Sequence, residues 1–306
     1  MSPRRSRLET VAAWLRPRRP RPPGEAVLLL SGRERFASGQ AILSAFYAVL
    51  FFLAAGQIYS WQGYLAATEL DPRWPVLWMP WLEPKTAISI VLWLHLAGGV
   101  AALTLVRYRW GRVLVFLSLL QFLAFRFSFG AINHGAHLGL LLAFVLIFLP
   151  TGWRGWPTAP RQVRAATLLV VAGCQSLLML TYTLSGFWKV LGIGRQVVAG
   201  ESHYLHPDGL ARQVAAKLLA ADEVSLLGPW LIDHPWAGLP LIVAAILLEL
   251  FALWAVFRPT LHQLWGVGLI ALHLGTHLTL GIGFVENTLW LALFFVLSPF
   301  RRPRGR

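Results

Sequence analysis

A lysine at the end of a long apolar run is the residue whose type most strongly suggests chemistry. The run begins near Ala165 and closes with Tyr182, Ser185, Gly186 and Lys189. Arginine outnumbers lysine 24 to 3 in this chain, so a position that needed only a positive charge would more often be arginine. An ammonium can lose its proton when it is desolvated, whereas a guanidinium stays charged. Lys189 is therefore interpreted either as a general base or as a lysine that anchors a helix end at a membrane surface.

Other titratable side chains lie within or beside apolar runs, where a charge is unfavourable unless it is paired or faces a cavity. They are His95, Arg126, His134, His137, Glu249, His273, His277 and Glu286. If successive runs cross a membrane in alternating directions, four of these residues join Lys189 at or near the outer ends of their runs. These four are His134, His137, His277 and Glu286. Such convergence from separate helices predicts a polar pocket in the outer leaflet.

Two of these groups leave alternatives open. His273 and His277 are spaced i and i+4, so they share one helical face and could ligate a metal. Two histidines are too few for a closed site, which favours a hydrogen-bonding pair between packed helices. Arg126 precedes His134 by eight residues, about 12 Å along a helix. The two could share a polar face, or Arg126 could pair with Glu249.

The composition of the chain indicates a membrane protein. With 306 residues, 57% of them hydrophobic and only 13% charged, it is too apolar for a soluble domain of this size. The formal net charge is +14, but the basic residues cluster at the termini and in short loops between apolar runs. That distribution is typical of membrane topology and argues against nucleic acid as a partner. The single cysteine, Cys174, lies within an apolar run, so no intrachain disulfide is possible.

The apolar runs predict an all-α fold, a polytopic membrane bundle of about eight transmembrane helices. The predicted spans are 40–59, 86–106, 113–133, 137–149, 165–188, 239–257, 264–283 and 287–300. Before the sixth span, Leu210, Val214, Leu218 and Leu219 recur at helical spacing. They predict an amphipathic helix that lies on the outer membrane surface. The connection 60–85, rich in tryptophan and proline, is predicted to cap the bundle at the interface.

The basic residues also predict the orientation of the chain. In the eight-span arrangement, twenty of them fall on the side of the two termini and six on the other, with Arg126 inside a span. Because lysine and arginine collect on the cytoplasmic side, we expect an inner or cell membrane of bacterial type with both termini in the cytoplasm. The predicted organisation is a basic arm (1–36), a transmembrane domain (37–300) and a basic tail (301–306).

Three separated segments carry a family resemblance. The first contains Asn133, His134 and His137, the second reads Tyr-x-x-Ser-Gly-x-x-Lys from Tyr182 to Lys189, and the third is a late histidine-containing run at 272–299. In this order and spacing they resemble the horizontally transferred transmembrane domain family, which includes the vitamin K-dependent gamma-carboxylases. The resemblance covers roughly 40–299.

The resemblance implies a catalytic lysine at Lys189, which deprotonates a reduced, vitamin K-like quinone, and a histidine at His134 that assists it. It implies O2 and CO2 as further reactants. The residues expected to bind the substrate beside them are Asn133, His137, Tyr182, His273, His277 and Arg126. The tryptophan that usually follows the family's lysine is missing from 190–195, and the chain has no large soluble portion after its last span. Carboxylation of a protein substrate by this chain alone is therefore not expected.

Three hypotheses follow for the function. The first is an enzyme in which Lys189, aided by His134, deprotonates a membrane quinol, with a soluble or secreted partner protein for the missing portion. The second is a non-catalytic module that binds a lipid or a quinone, in which Lys189 serves as a charge that arginine could replace. The third is a metal or haem protein that uses His95, His273 and His277. Membrane lipids are expected partners in all three.

Overall fold

The computed structural model describes residues 32–60, 71–130, 134–155, 159–221 and 225–300. The helices there are α1 (Arg33–Ser60), α2 (Pro84–Thr104), α3 (Arg109–Phe127), α4 (His137–Leu146), α5 (Arg161–Val198), α6 (Gly209–Ala221), α7 (Gly228–Asp233), α8 (Gly238–Leu250), α9 (Ala252–Val256), α10 (His262–Leu280) and α11 (Val285–Leu291). Short 3-10 turns cover Met79–Trp81, His134–Ala136 and Pro235–Ala237, and a π-helical segment follows α11 at Ala292–Val296. No β-strand occurs in these ranges, so the all-α prediction is confirmed for them.

Four helices are long and apolar enough to cross a membrane among the residues described. They are Arg33–Tyr59, Pro84–Thr104, Arg109–Phe127 and Arg161–Val198. Shorter apolar helices occur at His137–Leu146, Pro235–Leu250 and Val285–Val296. The helical architecture is therefore confirmed for the described residues, with four candidate membrane spans. The count of eight spans is not confirmed, because several predicted spans are short or interrupted helices.

The ends of the predicted domains are only partly described. Residues 1–31 of the predicted arm and all of the tail, 301–306, lie outside the described residues. The last part of the arm is already helical, because α1 begins at Arg33 and Phe36 is buried. The predicted boundary at 37 therefore falls within α1, and the division into arm and transmembrane domain stays a prediction.

The helix α5 lies at the centre of the packing and contacts α1, α4, α8 and α9. Its residues Leu168, Cys174 and Leu178 are fully buried in one apolar core, together with Phe46 of α1 and Trp290 of α11. In α2, Gly98 and Gly99 allow close crossings: a Cβ at Gly98 would collide with Ser118 of α3, and one at Gly99 would press on Ala54 of α1. Small residues at such crossings are typical of membrane helices.

A buried arginine at the start of α3 joins it to the C-terminal ends of α2 and α4. The guanidinium of Arg112, in the first turn of α3, donates hydrogen bonds to the carbonyl oxygens of Val106 (2.8 Å), Leu149 (2.5 Å) and Ile147 (3.3 Å). These carbonyls follow the ends of α2 and α4, where backbone acceptors have no helical partner. Arg112 lies between the predicted spans 86–106 and 113–133, but its side chain is fully buried.

A polar network surrounds the π-helical segment. The side-chain amide of Gln175 donates to the carbonyl of Phe294 and to Ser298 Oγ (3.0 Å). The hydroxyl of Ser298 lies 2.7 Å from His262 Nδ1, and His262 Nε2 lies 2.9 Å from the carbonyl of Val256. A side chain that enters the backbone ladder in this way is a known cause of helix irregularity. The network is buried and joins α5, α10 and the π-helical segment.

The predicted amphipathic helix is observed as α6. Its Val214 is buried against Leu231 and Ala237, and Leu210 and Leu218 pack beside them. Leu219 departs from the predicted apolar face, because 85% of its surface is exposed. Large apolar side chains are also exposed nearby and on the partly described 60–85 connection: Trp74, Trp81, Trp230 and Trp236. Exposed tryptophans of this kind are typical of a membrane interface.

Candidate functional site

Lys189 lies in the C-terminal part of α5 and pairs with Glu249 of α8. Its Nζ atom lies 2.5 Å from both carboxylate oxygens of Glu249 and 3.3 Å from Ser185 Oγ. The hydroxyl of Ser185, one turn earlier on α5, also lies 3.5 Å from Glu249 Oε2. The side chain of Glu249 is 8% exposed and that of Lys189 is 34% exposed. The carboxylate is therefore inside the protein, while the lysine can still be reached from outside.

A glycine brings the two helices together at this point. A Cβ added to Gly186 of α5 would lie 2.7 Å from the backbone nitrogen of Leu250 and 3.0 Å from the Cβ of Glu249. Only a residue without a side chain allows this approach. Because Gly186 lies three residues before Lys189, the contact places the lysine within reach of the carboxylate.

The backbone of α8 is interrupted immediately after Glu249. The helix ends at Leu250 and resumes as α9 at Ala252, with Phe251 between them. Thr183 of α5 fills the interruption: its Oγ1 accepts a hydrogen bond from the Leu253 amide (2.9 Å) and lies 3.4 Å from the carbonyl of Glu249. The predicted span at 239–257 is thus two short helices. The Thr183 side chain holds them together and fixes the position of Glu249 next to α5.

A second buried contact lies two turns earlier on the same helix. The hydroxyl of Tyr182 is 2.6 Å from Nε2 of His273 on α10, and the His273 ring lies 4.9 Å from the ring of Phe284. Tyr182 precedes Lys189 by seven residues, about 10 Å along the helix axis. The two contacts therefore define one region along α5, between Tyr182 and Lys189.

Two of the predicted substrate-binding residues are placed apart from this region. His277 is exposed and lies one turn beyond His273 on α10. The C-cap of this helix is Gly281, which has the left-handed conformation (φ 71°). A left-handed glycine is a common helix terminator. Arg126 is half-buried in the last turn of α3. Glu249 has Lys189 as its partner instead of Arg126.

The segment with Asn133 and His134 is described only in part. Asn133 lies outside the described residues, and only the backbone of His134 is described, in the 3-10 turn that precedes α4. His137 begins α4, and its ring lies 5.0 Å from the ring of Phe127. The predicted assistance of Lys189 by His134 therefore stays a prediction.

A separate, mostly apolar cleft contains His95. His95 is buried on α2, its Nε2 lies 2.8 Å from Gln57 Oε1 of α1, and its ring stacks on Phe122 at 3.8 Å. Glu286 and Trp290 are the other lining residues with polar atoms. The cleft has room for a water-sized molecule, about 20 Å³, whereas sites for organic ligands usually exceed roughly 300 Å³. It is too small for a quinone ring.

The three histidines of the haem hypothesis have different surroundings. His95 contacts Gln57, His273 contacts Tyr182, and His277 is exposed. Within the described ranges, no group of three or more histidine, cysteine, aspartate or glutamate side chains is arranged to hold a metal ion.

The site residue that the sequence left without a definite role is Glu249. Its position in an apolar run marked it as a candidate, but the pattern could not choose its partner. The useful signal was Gly186, which lies close to Lys189 in sequence and marks the point where α8 approaches. Ser185 and Thr183, both polar residues on the same part of α5, give two further contacts to Glu249.

Comparisons with known proteins give no relative for this chain: no family model matches it, and neither the curated proteins nor the solved structures contain a match.

Proposed function

We propose that this membrane protein binds an amphiphile with an acidic hydroxyl at the outer end of α5 and that Lys189 takes the proton of that hydroxyl. The observation that supports this most is the position of Lys189. Its side chain contacts a buried carboxylate and the Ser185 hydroxyl, yet a third of it stays exposed. A lysine that only anchored a helix end would point into water or lipid headgroups. The contacts of Lys189 instead hold the Nζ atom in a fixed place, as an acid–base group requires.

The expected substrate is a reduced, vitamin K-like quinone, whose ring hydroxyl becomes an oxyanion when Lys189 accepts its proton. Tyr182 and His273 lie further inside the same region and are proposed to contact the ring. The resemblance to the horizontally transferred transmembrane domain family supports this choice of substrate. It also supplies O2 and CO2 as expected reactants of later steps, to which we assign no residue.

The proposal includes the topology of the chain. It places eight crossings in a cell membrane of bacterial inner-membrane type, with the shorter helices completing the bundle beside the four long ones and with both termini in the cytoplasm. The distribution of basic residues supports this orientation. Lys189 then faces the outer side, where a soluble or secreted partner protein could supply the portion that handles a further substrate.

Replacement of Lys189 by arginine tests the role of a base. Arginine keeps the charge and can pair with Glu249 through two parallel hydrogen bonds, but it does not release a proton. We expect Lys189→Arg to fold and to retain bound quinone, and to lower oxygen-dependent consumption of reduced quinone in nanodiscs about a hundredfold or more. Lys85→Arg, at the exposed start of α2, is the matched control and should keep wild-type turnover. Full turnover by Lys189→Arg would reject the proposal.

The ion pair itself favours a second function, a non-catalytic module that binds a lipid or a quinone. A lysine held by a carboxylate is a stable positive charge, which can bind an anionic headgroup without proton transfer. This function predicts that the wild-type protein does not consume quinol and that Lys189→Arg binds lipid or quinone as well as the wild type does. Mass spectrometry of the molecules that co-purify with each protein would show the second result.

A further inference from the structure

The contact between Lys189 and Glu249 raises a chemical question for the proposed function. An ammonium that is paired with a carboxylate has no lone pair with which to accept a proton. A proton must therefore leave Nζ before Lys189 can act as a base. Glu249 places both of its oxygens 2.5 Å from that atom.

We propose that the charge on Glu249 controls when Lys189 can act as a base. In the resting site the carboxylate holds the ammonium. Transfer of one proton from Nζ to a carboxylate oxygen leaves a neutral amine beside a neutral carboxylic acid. The amine lone pair then accepts the proton of the substrate hydroxyl, which leaves an ammonium beside the new oxyanion. This inference rests on the proposed role of Lys189 as a base.

The balance of charge supports this sequence of steps. The Lys189–Glu249 pair carries no net charge before the reaction, and the ammonium and the substrate oxyanion carry none together after it. The oxyanion replaces the carboxylate as the counter-ion of Lys189. An isolated charge in an apolar site is strongly unfavourable, so a route that keeps every charge paired avoids that cost.

Among the described residues in contact with Lys189, Glu249 is the group that can accept its proton. Ser185 also lies within reach of Nζ, but a neutral hydroxyl is a very weak base. Tyr182 and His273 are the other titratable groups in this region, and they are bonded to each other. Tyr182 lies about two helical turns from Lys189 along α5, and His273 belongs to α10. Thr183 fills the break between α8 and α9 and contacts the carbonyl of Glu249, which holds the carboxylate beside the amine.

The experiment measures how readily the amine of Lys189 reacts, without any substrate. The full-length protein in nanodiscs is treated with formaldehyde and a borohydride reductant, which modifies neutral amines, and mass spectrometry gives the rate at each lysine. Lys85 is exposed and distant in sequence, so its rate serves as the internal reference. Glu249→Gln replaces the carboxylate with a neutral amide that resembles the protonated carboxyl group in shape. Glu249→Asp keeps the charge.

At about pH 8, below the usual range in which lysine loses its proton, we expect Glu249→Gln to raise the rate at Lys189 relative to Lys85 about tenfold or more. Glu249→Asp should stay within about twofold of the wild type. Near pH 11 most exposed lysines are neutral, and the difference between Glu249→Gln and the wild type should fall to about twofold. A change in access alone would persist at the higher pH and would overturn the inference. An unchanged rate in Glu249→Gln at pH 8 would also overturn it.

The measurement does not depend on quinol turnover. If the wild-type protein consumes no quinol but the labelling rates change as expected, the proposed function fails while the control of Lys189 by Glu249 stands. If the rates do not change while Lys189→Arg still abolishes turnover, the inference fails and the role of the base stands.

Discussion

The hydroxyl of Tyr182 and Nε2 of His273 lie 2.6 Å apart, and both side chains are buried. This contact joins α5 to α10 at the edge of the apolar core, to which Tyr182 belongs. The predicted pair of His273 and His277 is thereby divided: one histidine faces the inside of the bundle and the other its surface. Helical spacing placed them on neighbouring positions of one face, but only the packing of α5 decides which of them is covered.

Removal of the Tyr182 hydroxyl should destabilise the protein. Tyr182→Phe leaves Nε2 of His273 buried without its partner, at an expected cost of about 1 to 3 kcal/mol in the free energy of unfolding. His277→Gln changes an exposed side chain and should stay within about 0.5 kcal/mol of the wild type. Thermal unfolding in detergent, followed by tryptophan fluorescence, gives both values. Equal stability of the two variants would contradict the contact.

The close approach at Gly186 gives a prediction with a control on the same helix. Gly186→Ala forces α5 and α8 apart, because the added methyl group would collide with the backbone of Leu250. We expect a loss of about 1 to 3 kcal/mol and faster amine labelling of Lys189. Gly192→Ala meets nothing within 4 Å and should stabilise the helix by up to about 1 kcal/mol. A Gly186→Ala protein with wild-type stability would contradict this account of the helix contact.

The carbonyl contacts of Arg112 predict an unusual sensitivity to a conservative change. Arg112→Lys keeps the charge, but one ammonium cannot reach the carbonyls of Val106, Ile147 and Leu149 together. Each buried acceptor that loses its donor costs about 1 to 3 kcal/mol, so a drop of at least about 2 kcal/mol is expected. Arg109→Lys, at an exposed position in the same turn, should be neutral. Urea or thermal unfolding of the two variants compares them, and a neutral Arg112→Lys would show that the contacts contribute little.

The sequence predicted the class of fold because hydropathy alone decides which segments avoid water. It also predicted a helix that is long and apolar enough to cross a membrane before Lys189, but it ended that helix at 188, whereas α5 continues to Val198. It could not predict the break at Phe251, because the groups that stabilise the break belong to Thr183, on another helix. The partner of Glu249 was undetermined for the same reason. Arg126 and Lys189 offer the same sign of charge, and only the contact at Gly186 selects the lysine.

The orientation of the chain can be tested directly. We expect a reporter fused after Arg306 and one inserted near Asp208 to lie on opposite sides of the membrane, since the basic residues collect on the side of the termini. Protease protection in sealed vesicles, or a pair of compartment-specific reporters, gives the answer. Accessibility of both positions from one side would contradict the eight-span arrangement.

The length of α5 determines how a molecule can approach the site. The helix has 38 residues, about 57 Å, whereas the hydrocarbon layer is about 30 Å thick. Lys189 lies 28 positions after Arg161, about 42 Å along the axis, so a helix that starts at the inner surface brings it to the level of the outer headgroups. If the proposed function holds, the amphiphile reaches that depth by lateral diffusion within the leaflet, with its tail still among the lipids. Its mole fraction in the bilayer, and not its concentration in water, would then set the occupancy.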